Sequence, residues 1–199
     1  MISKRKDDFD QFTEKTLHYQ KYVFNVLCGG DPRLYAAWEK LYGTASGREL
    51  ALFISENNIR MEFWGVTGTS LSECGVKIGG CVIHISPDLV PSSIDPDPDL
   101  SRLTAELGHE GYHMKYGTPW HPGTLEFPTN SQFEEFSAFQ AGDRVYHELT
   151  GEHLGYNVGG YNKFDRSSLQ AFFMDNIPEF GNGYLGLPSY PPFYPYYMP

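Results

Sequence analysis

Two histidines four residues apart, His109 and His113, enclose a glutamate in the run His109-Glu110-Gly111-Tyr112-His113. In a helix this separation puts both imidazoles on one face, one turn apart, where they can hold a single tetrahedral cation. Glu110 sits about 100° further round the same helix. That position is wrong for a third ligand and right for hydrogen-bonding a water on the cation, whose pKa the metal lowers toward neutrality. With seven histidines in the chain, the spacing also arises by accident in on the order of one or two such chains per hundred. The motif therefore needs a helix around it and a third ligand elsewhere.

A catalytic zinc takes three protein ligands and leaves the fourth position to water. Downstream, Ser131-Gln132-Phe133-Glu134 fits a capping box, in which Ser131 caps a helix and Glu134 reaches back to the Ser131 amide. The next residue, Glu135, shares a helical stripe with Ala138, Phe139, Gly142, Tyr146 and Leu149, the face expected to pack inward. Burying a lone carboxylate costs several kcal/mol or drives its protonation. Coordination to zinc removes that cost, which makes Glu135 the expected third ligand. Small Ala138 and Gly142 would let this helix come close to the HExxH helix. The plainer alternative is that Glu134 and Glu135 are both solvated residues of a helix's first turn, favoured there by its dipole.

HExxH followed by a helix bearing Glu135-Phe136-Ser137-Ala138 resembles the gluzincin branch of the zincin metallopeptidases, over about residues 76–149. Small bacterial members and the metallopeptidase domains of toxins or effectors are similar in size and order. The resemblance implies an α+β, zincin-like fold in which a small antiparallel or mixed sheet packs on the HExxH helix and a second ligand-bearing helix. It also implies Zn2+ held by His109, His113 and Glu135, with Glu110 as general base and an extended peptide paired to an antiparallel edge strand. The strands between Gly75 and Ser86 are placed to supply that edge. Two departures stand out. Phe139 occupies the place where thermolysin-like enzymes carry an Asp four residues after the ligand Glu, and Tyr116 and Pro119 fall where the metzincin extension needs Gly and a third His. His121 is then the alternative third ligand. For the donor that steadies a developing oxyanion, the candidates are Tyr112, Tyr116, His121, Tyr146 and His147, with His121 and Tyr146 favoured.

The elements that must position these groups are legible in outline. Helical spacing runs from Asp7 to Leu27 and again from Asp31-Pro32 to Gly43. Leu50 to Ile54 and the alternating Ile59, Met61 and Phe63 read as short strands, and Val76 to Ile85, broken by Gly79-Gly80, as a hairpin. Asp97-Pro98 or Asp99 caps a helix from about Leu100 to Tyr116. Further helices are predicted from Gln132 to Leu149 and from Ser168 to Asp175. Residues 1–187 form one domain, and 188–199 a Pro/Tyr-rich tail that docks on it.

Composition narrows the function classes. At 199 residues the chain suits one domain with its own core. A formal net charge of −10, from 15 Lys+Arg against 25 Asp+Glu, repels phosphate backbones and anionic lipid, so neither nucleic acid nor membrane is an expected partner. No apolar run of signal-peptide or membrane-span length is present, which favours cytoplasmic synthesis and leaves export without a cleaved signal open. Cys28, Cys74 and Cys81 are odd in number and lack a CxxC pair, so reduced thiols are expected, the alternative being that Cys74 and Cys81 meet across the hairpin. Asp95 to Asp99 with Glu106 imitates a calcium loop, but Leu100 stands where its turn needs Gly, so the run reads as an acidic helix-capping loop. The function expected is a zinc-dependent endopeptidase acting on a peptide or protein substrate. The rival is a catalytically inactive, zinc-stapled domain used in interaction or regulation. Oligomeric state is not encoded in these patterns.

Overall fold

In the computed structural model the described residues are 16–64, 69–71, 81–89, 99–116, 132–155, 160–161 and 165–176. The apolar spacing of the first part becomes two helices. Helix α1, described from residue 16, passes at Val23–Leu27 into a turn of π-helix. The wider turn keeps Val23 and Leu27 in the core and leaves Val26 exposed. Helix α2 is Pro32–Gly43: Pro32 opens it, the Asp31 carboxylate accepts from the Arg33 amide at 2.8 Å, and Leu34, Ala37, Trp38 and Leu41 face inward.

Leu50 to Ile54, expected as a strand, lies inside helix α3, Arg48–Glu56. Its apolar residues work at helical spacing: Leu50, Ala51 and Ile54 are buried while Arg48 and Glu49 are exposed. Strand β1, Arg60–Phe63, holds the alternating segment, with Met61 buried. Strands β2, Thr69–Leu71, and β3, Val82–Ile85, complete a three-stranded sheet of order β1-β3-β2. The sheet is mixed. Pairing of β1 with β3 is parallel, from Arg60 opposite Val82 to Phe63 opposite Ile85, and only β2 runs antiparallel to β3. The all-antiparallel option is thereby excluded for this sheet. Of the expected hairpin, residues 72–80 lie outside the described residues, and its second arm is the central strand. Because β3 is paired on both sides, it has no edge to offer, contrary to the role expected for the 75–86 strands.

Helices α4, Ser101–Tyr116, α5, Gln132–Thr150, and α6, Arg166–Asn176, complete the α+β fold. Asp99 accepts from the Ser101 amide at 2.9 Å, as read for a helix-capping acid, and a bond to the Ser101 side chain, then this one to its amide, hold its carboxyl below the usual range. Helix α4 is the hub: it packs most extensively on α5 and also against α2, α3 and β2. Glycines permit this. A Cβ on Gly111 would meet Leu50 and Ile54 of α3 at 3.3 Å, and one on Gly108 would meet Val145 of α5 at 3.2 Å. A main core joins α1, α2, α3, the sheet and α4, while Phe136 of α5 and Leu169, Phe172 and Phe173 of α6 form a second.

Cysteine usage differs from expectation. Cys28 is free and buried, its thiol pushed up to about 12 by burial and then by the Asp31 charge. Cys81 is disulfide-bonded. Reducing compartments rarely keep such a bond, so the cytoplasmic expectation loses its support from cysteine chemistry. No helix among the described residues is long and apolar enough to cross a membrane. Residues 117–131, with His121 and Ser131, and the 188–199 tail lie outside the described residues.

Candidate metal centre

The HExxH segment occupies the last two turns of α4, and the two carboxylates occupy the first turn of α5. The helices run antiparallel, since His113 meets Glu134 while Ala105, two turns earlier, meets Gly142. This crossing brings the C-terminal imidazoles of α4 to the N-terminal acids of α5. The dipoles of both helix ends favour that placement of charge.

His109, His113 and Glu135 converge as the sequence predicts, each offering one ligand atom to a common point. The Nε2 atoms of the two imidazoles are 3.1 Å apart. The Glu135 Oε2 lies 3.4 Å from His113 Nε2 and 3.7 Å from His109 Nε2. Ligand atoms about 2.0–2.1 Å from a tetrahedral zinc sit about 3.3 Å from one another. The triangle therefore fits a single ion reached by all three atoms. Its residues, with Glu110, are at most 8% exposed. The reading of Glu135 as a solvated first-turn residue is excluded by that burial.

Glu134 has a partner beyond its own helix. It does not point into solvent: its Oε1 lies 2.9 Å from His113 Nδ1, and its side chain is 7% exposed. Ser131, the cap it was expected to answer, lies outside the described residues. Phe139, the residue standing in place of an Asp, packs its ring edge-on to His109 with centroids 4.6 Å apart, and its other neighbours are Phe172 and Phe173 of α6.

Electrostatics divide the two imidazoles. Burial, and then the charge on His113, push His109 down to about 3. Burial also opposes charge on His113, but hydrogen bonds to Glu134 and Glu135 and the charges of Glu135 and Glu110 outweigh it, pushing that group up to about 10. Without a cation, His113 carries the proton and His109 does not. His113 Nε2 faces both His109 Nε2 and Glu135 Oε2, the other atoms that would bind metal.

The remaining candidates among the described residues do not join this group. Tyr146 and His147 follow Glu135 by 11 and 12 positions on α5, about 16–18 Å along the axis at 1.5 Å per residue. His147 is exposed and stacks on His153, with centroids 4.5 Å apart. Tyr116 is exposed, and its hydroxyl donates to Glu49 at 3.4 Å. Tyr112 is half-buried beside Tyr116, with ring centroids 4.9 Å apart. His121 lies outside the described residues. Sequence reasoning missed Glu134 as a partner of His113; the available signal was a second acid beside the ligand on a helix expected to face the HExxH helix.

No protein-family model, curated protein or solved structure matches this chain.

Proposed function

We propose that this chain is a zinc-dependent peptidase that hydrolyses peptide bonds with Glu110 as general base. The observation that carries the reading is the triangle of His109 Nε2, His113 Nε2 and Glu135 Oε2, sized for one ion. Two imidazoles and one carboxylate are the donor set of catalytic zinc, whereas structural zinc is closed by four protein ligands, mostly thiolates. When bound, the ion supplies Lewis acidity toward a carbonyl and acidifies water. Glu110, buried next to the ligand pair, takes the proton from the attacking water and returns it to the leaving amine. Burial strengthens each of these charge interactions relative to water. Strand β2, at the sheet's edge and packed against α4, supports the peptide part of the reading, since an edge can pair with an extended chain.

The test compares untagged wild-type protein with Glu110→Gln by metal analysis, melting and cleavage of a peptide library. The variant keeps its zinc and its melting temperature while cleavage falls by about two to four orders of magnitude, the usual contribution of general-base catalysis. Zinc-loaded wild type that leaves every peptide intact would instead support the rival, a zinc-stapled interaction domain.

A further inference from the structure

We infer that Glu134 is a positioning residue of the metal centre: its carboxylate accepts from His113 Nδ1–H and so commits Nε2 of that ring to the cation. The inference rests on the metal reading given above.

An imidazole that binds a metal through one nitrogen carries its hydrogen on the other, and that hydrogen needs an acceptor. In an exposed site water serves. Here the His113 side chain is 4% exposed, and the group facing Nδ1 is Glu134 Oε1 at 2.9 Å. A buried carboxylate is costly without a partner, and His113 gives Oε1 of Glu134 one across the α4–α5 contact.

Adjacency in sequence gives the arrangement its geometry. Glu134 and Glu135 are consecutive on α5, about 100° apart round the axis, and the α4 crossing brings one imidazole against both. Glu134 takes Nδ1, and Glu135 places its oxygen 3.4 Å from Nε2, where a shared ion would lie. One histidine is thus gripped by two acids, one through a hydrogen and one through the metal. His109 is steadied differently, by the edge-on ring of Phe139. Phe139 stands four residues after Glu135, and the acid that faces a histidine of the pair, Glu134, stands one residue before it.

Zinc affinity of the full chain is measured by competition with a chromophoric chelator for wild type, Glu134→Gln, Glu134→Ala and Glu135→Ala. Loss of a second-layer carboxylate weakens metal binding by about 10–100-fold. Glu134→Ala is expected in that range. Glu134→Gln, whose amide oxygen still accepts from Nδ1–H, is expected closer to wild type. In 15N-histidine protein loaded with 113Cd, the metal couples to His113 Nε2 in wild type, a readout that needs no variant to fold. Binding by Glu134→Ala within twofold of wild type while Glu135→Ala loses the metal would overturn the role of Glu134 alone. So would cadmium coupled to Nδ1, or equal losses in Ala and Gln variants matched by equal losses of metal-free stability. Absence of stoichiometric binding in wild type would instead remove the metal reading itself, and Glu134's role with it.

Discussion

Gly142 of α5 and Ala105 of α4 meet so closely that a Cβ on Gly142 would lie 2.9 Å from the Ala105 carbonyl oxygen. The same Cβ would lie 3.5 Å from the Cβ of His109, so the contact sets the helix crossing beside a proposed ligand. Its partner is backbone, and no rotamer change can relieve it. In Gly142→Ala, alanine's better helix propensity returns at most about 1 kcal/mol, whereas overpacking costs about 1–3 kcal/mol. The expected outcome is a net loss of stability by urea denaturation, with weaker zinc binding as the helices part. Unchanged stability together with unchanged affinity would show that the two backbones are not in contact.

The proton on His113 gives a second expectation. In metal-free protein the folded state binds this proton up to about pH 10, while the unfolded chain releases it near pH 6.5. The stability it contributes is complete below about 6.5 and is lost as pH rises through 10. His109 acts in the opposite sense: the unfolded chain takes up a proton below about 6.5 and the folded one resists until about 3, so stability falls with acid across that interval. The pair's contribution thus peaks near pH 6.5. Zinc requires both rings unprotonated. Loading at pH 7.5 is therefore expected to release about one proton per ion, and zinc should raise the melting temperature more at pH 8.5 than at pH 6. Calorimetry in buffers of different ionisation enthalpy counts the proton; a count of zero would mean that His113 is neutral before metal arrives.

The convergence of His109, His113 and Glu135 was legible because its signals are periodic. His109 and His113 share a face at any spacing of four on a helix, and Glu135 falls on an apolar stripe where an acid has to be explained. Glu134 was not legible for a physical reason: its local pattern satisfies a capping box, and only the arrival of α4 from 21 residues upstream supplies the competing partner. Leu50 to Ile54 was misread for want of period, since a short apolar run suits a strand and a buried helix equally well. The helix packs close to α4 at Gly111, where an added Cβ would meet Leu50 and Ile54 at 3.3 Å. Sheet order escaped the sequence altogether, because the parallel pairing of β1 with β3 depends on a crossover that no residue near either strand encodes.

Phe139 links the metal centre to the second core. Its ring packs edge-on to His109 and also neighbours Phe172 and Phe173. Truncation in Phe139→Ala removes apolar contact from a partly buried site, for an expected loss of about 2–3 kcal/mol, below the full cost of a wholly buried phenylalanine. It also frees the His109 ring to rotate, so zinc affinity should fall, whereas Phe139→Leu should recover much of both. Chemical denaturation and chelator competition measure the two effects. A loss of stability with affinity untouched would restrict Phe139 to packing.

Asp143 separates stability from metal binding. Its side chain is 2% exposed, and its two oxygens hold the chain that leaves α5: Oδ1 accepts from the Leu154 amide at 2.9 Å, and Oδ2 lies 2.8 Å from His153 Nδ1. The His153 side chain is 63% exposed, so the ion-pair part of that contact is screened and adds little. The amide bond matters more, because losing a buried partner costs about 1–3 kcal/mol. Asp143→Ala is expected to lose that amount, and Asp143→Asn, whose amide oxygen can still accept from Leu154, a small part of it. Asp143 follows Glu135 by eight positions, about 12 Å of helix, so neither variant should change zinc affinity. Denaturation midpoints and zinc titrations on the same samples decide it: an Asp143→Asn protein as unstable as Asp143→Ala would assign the stabilisation to charge, and lost zinc would mean that the two ends of α5 respond as one unit.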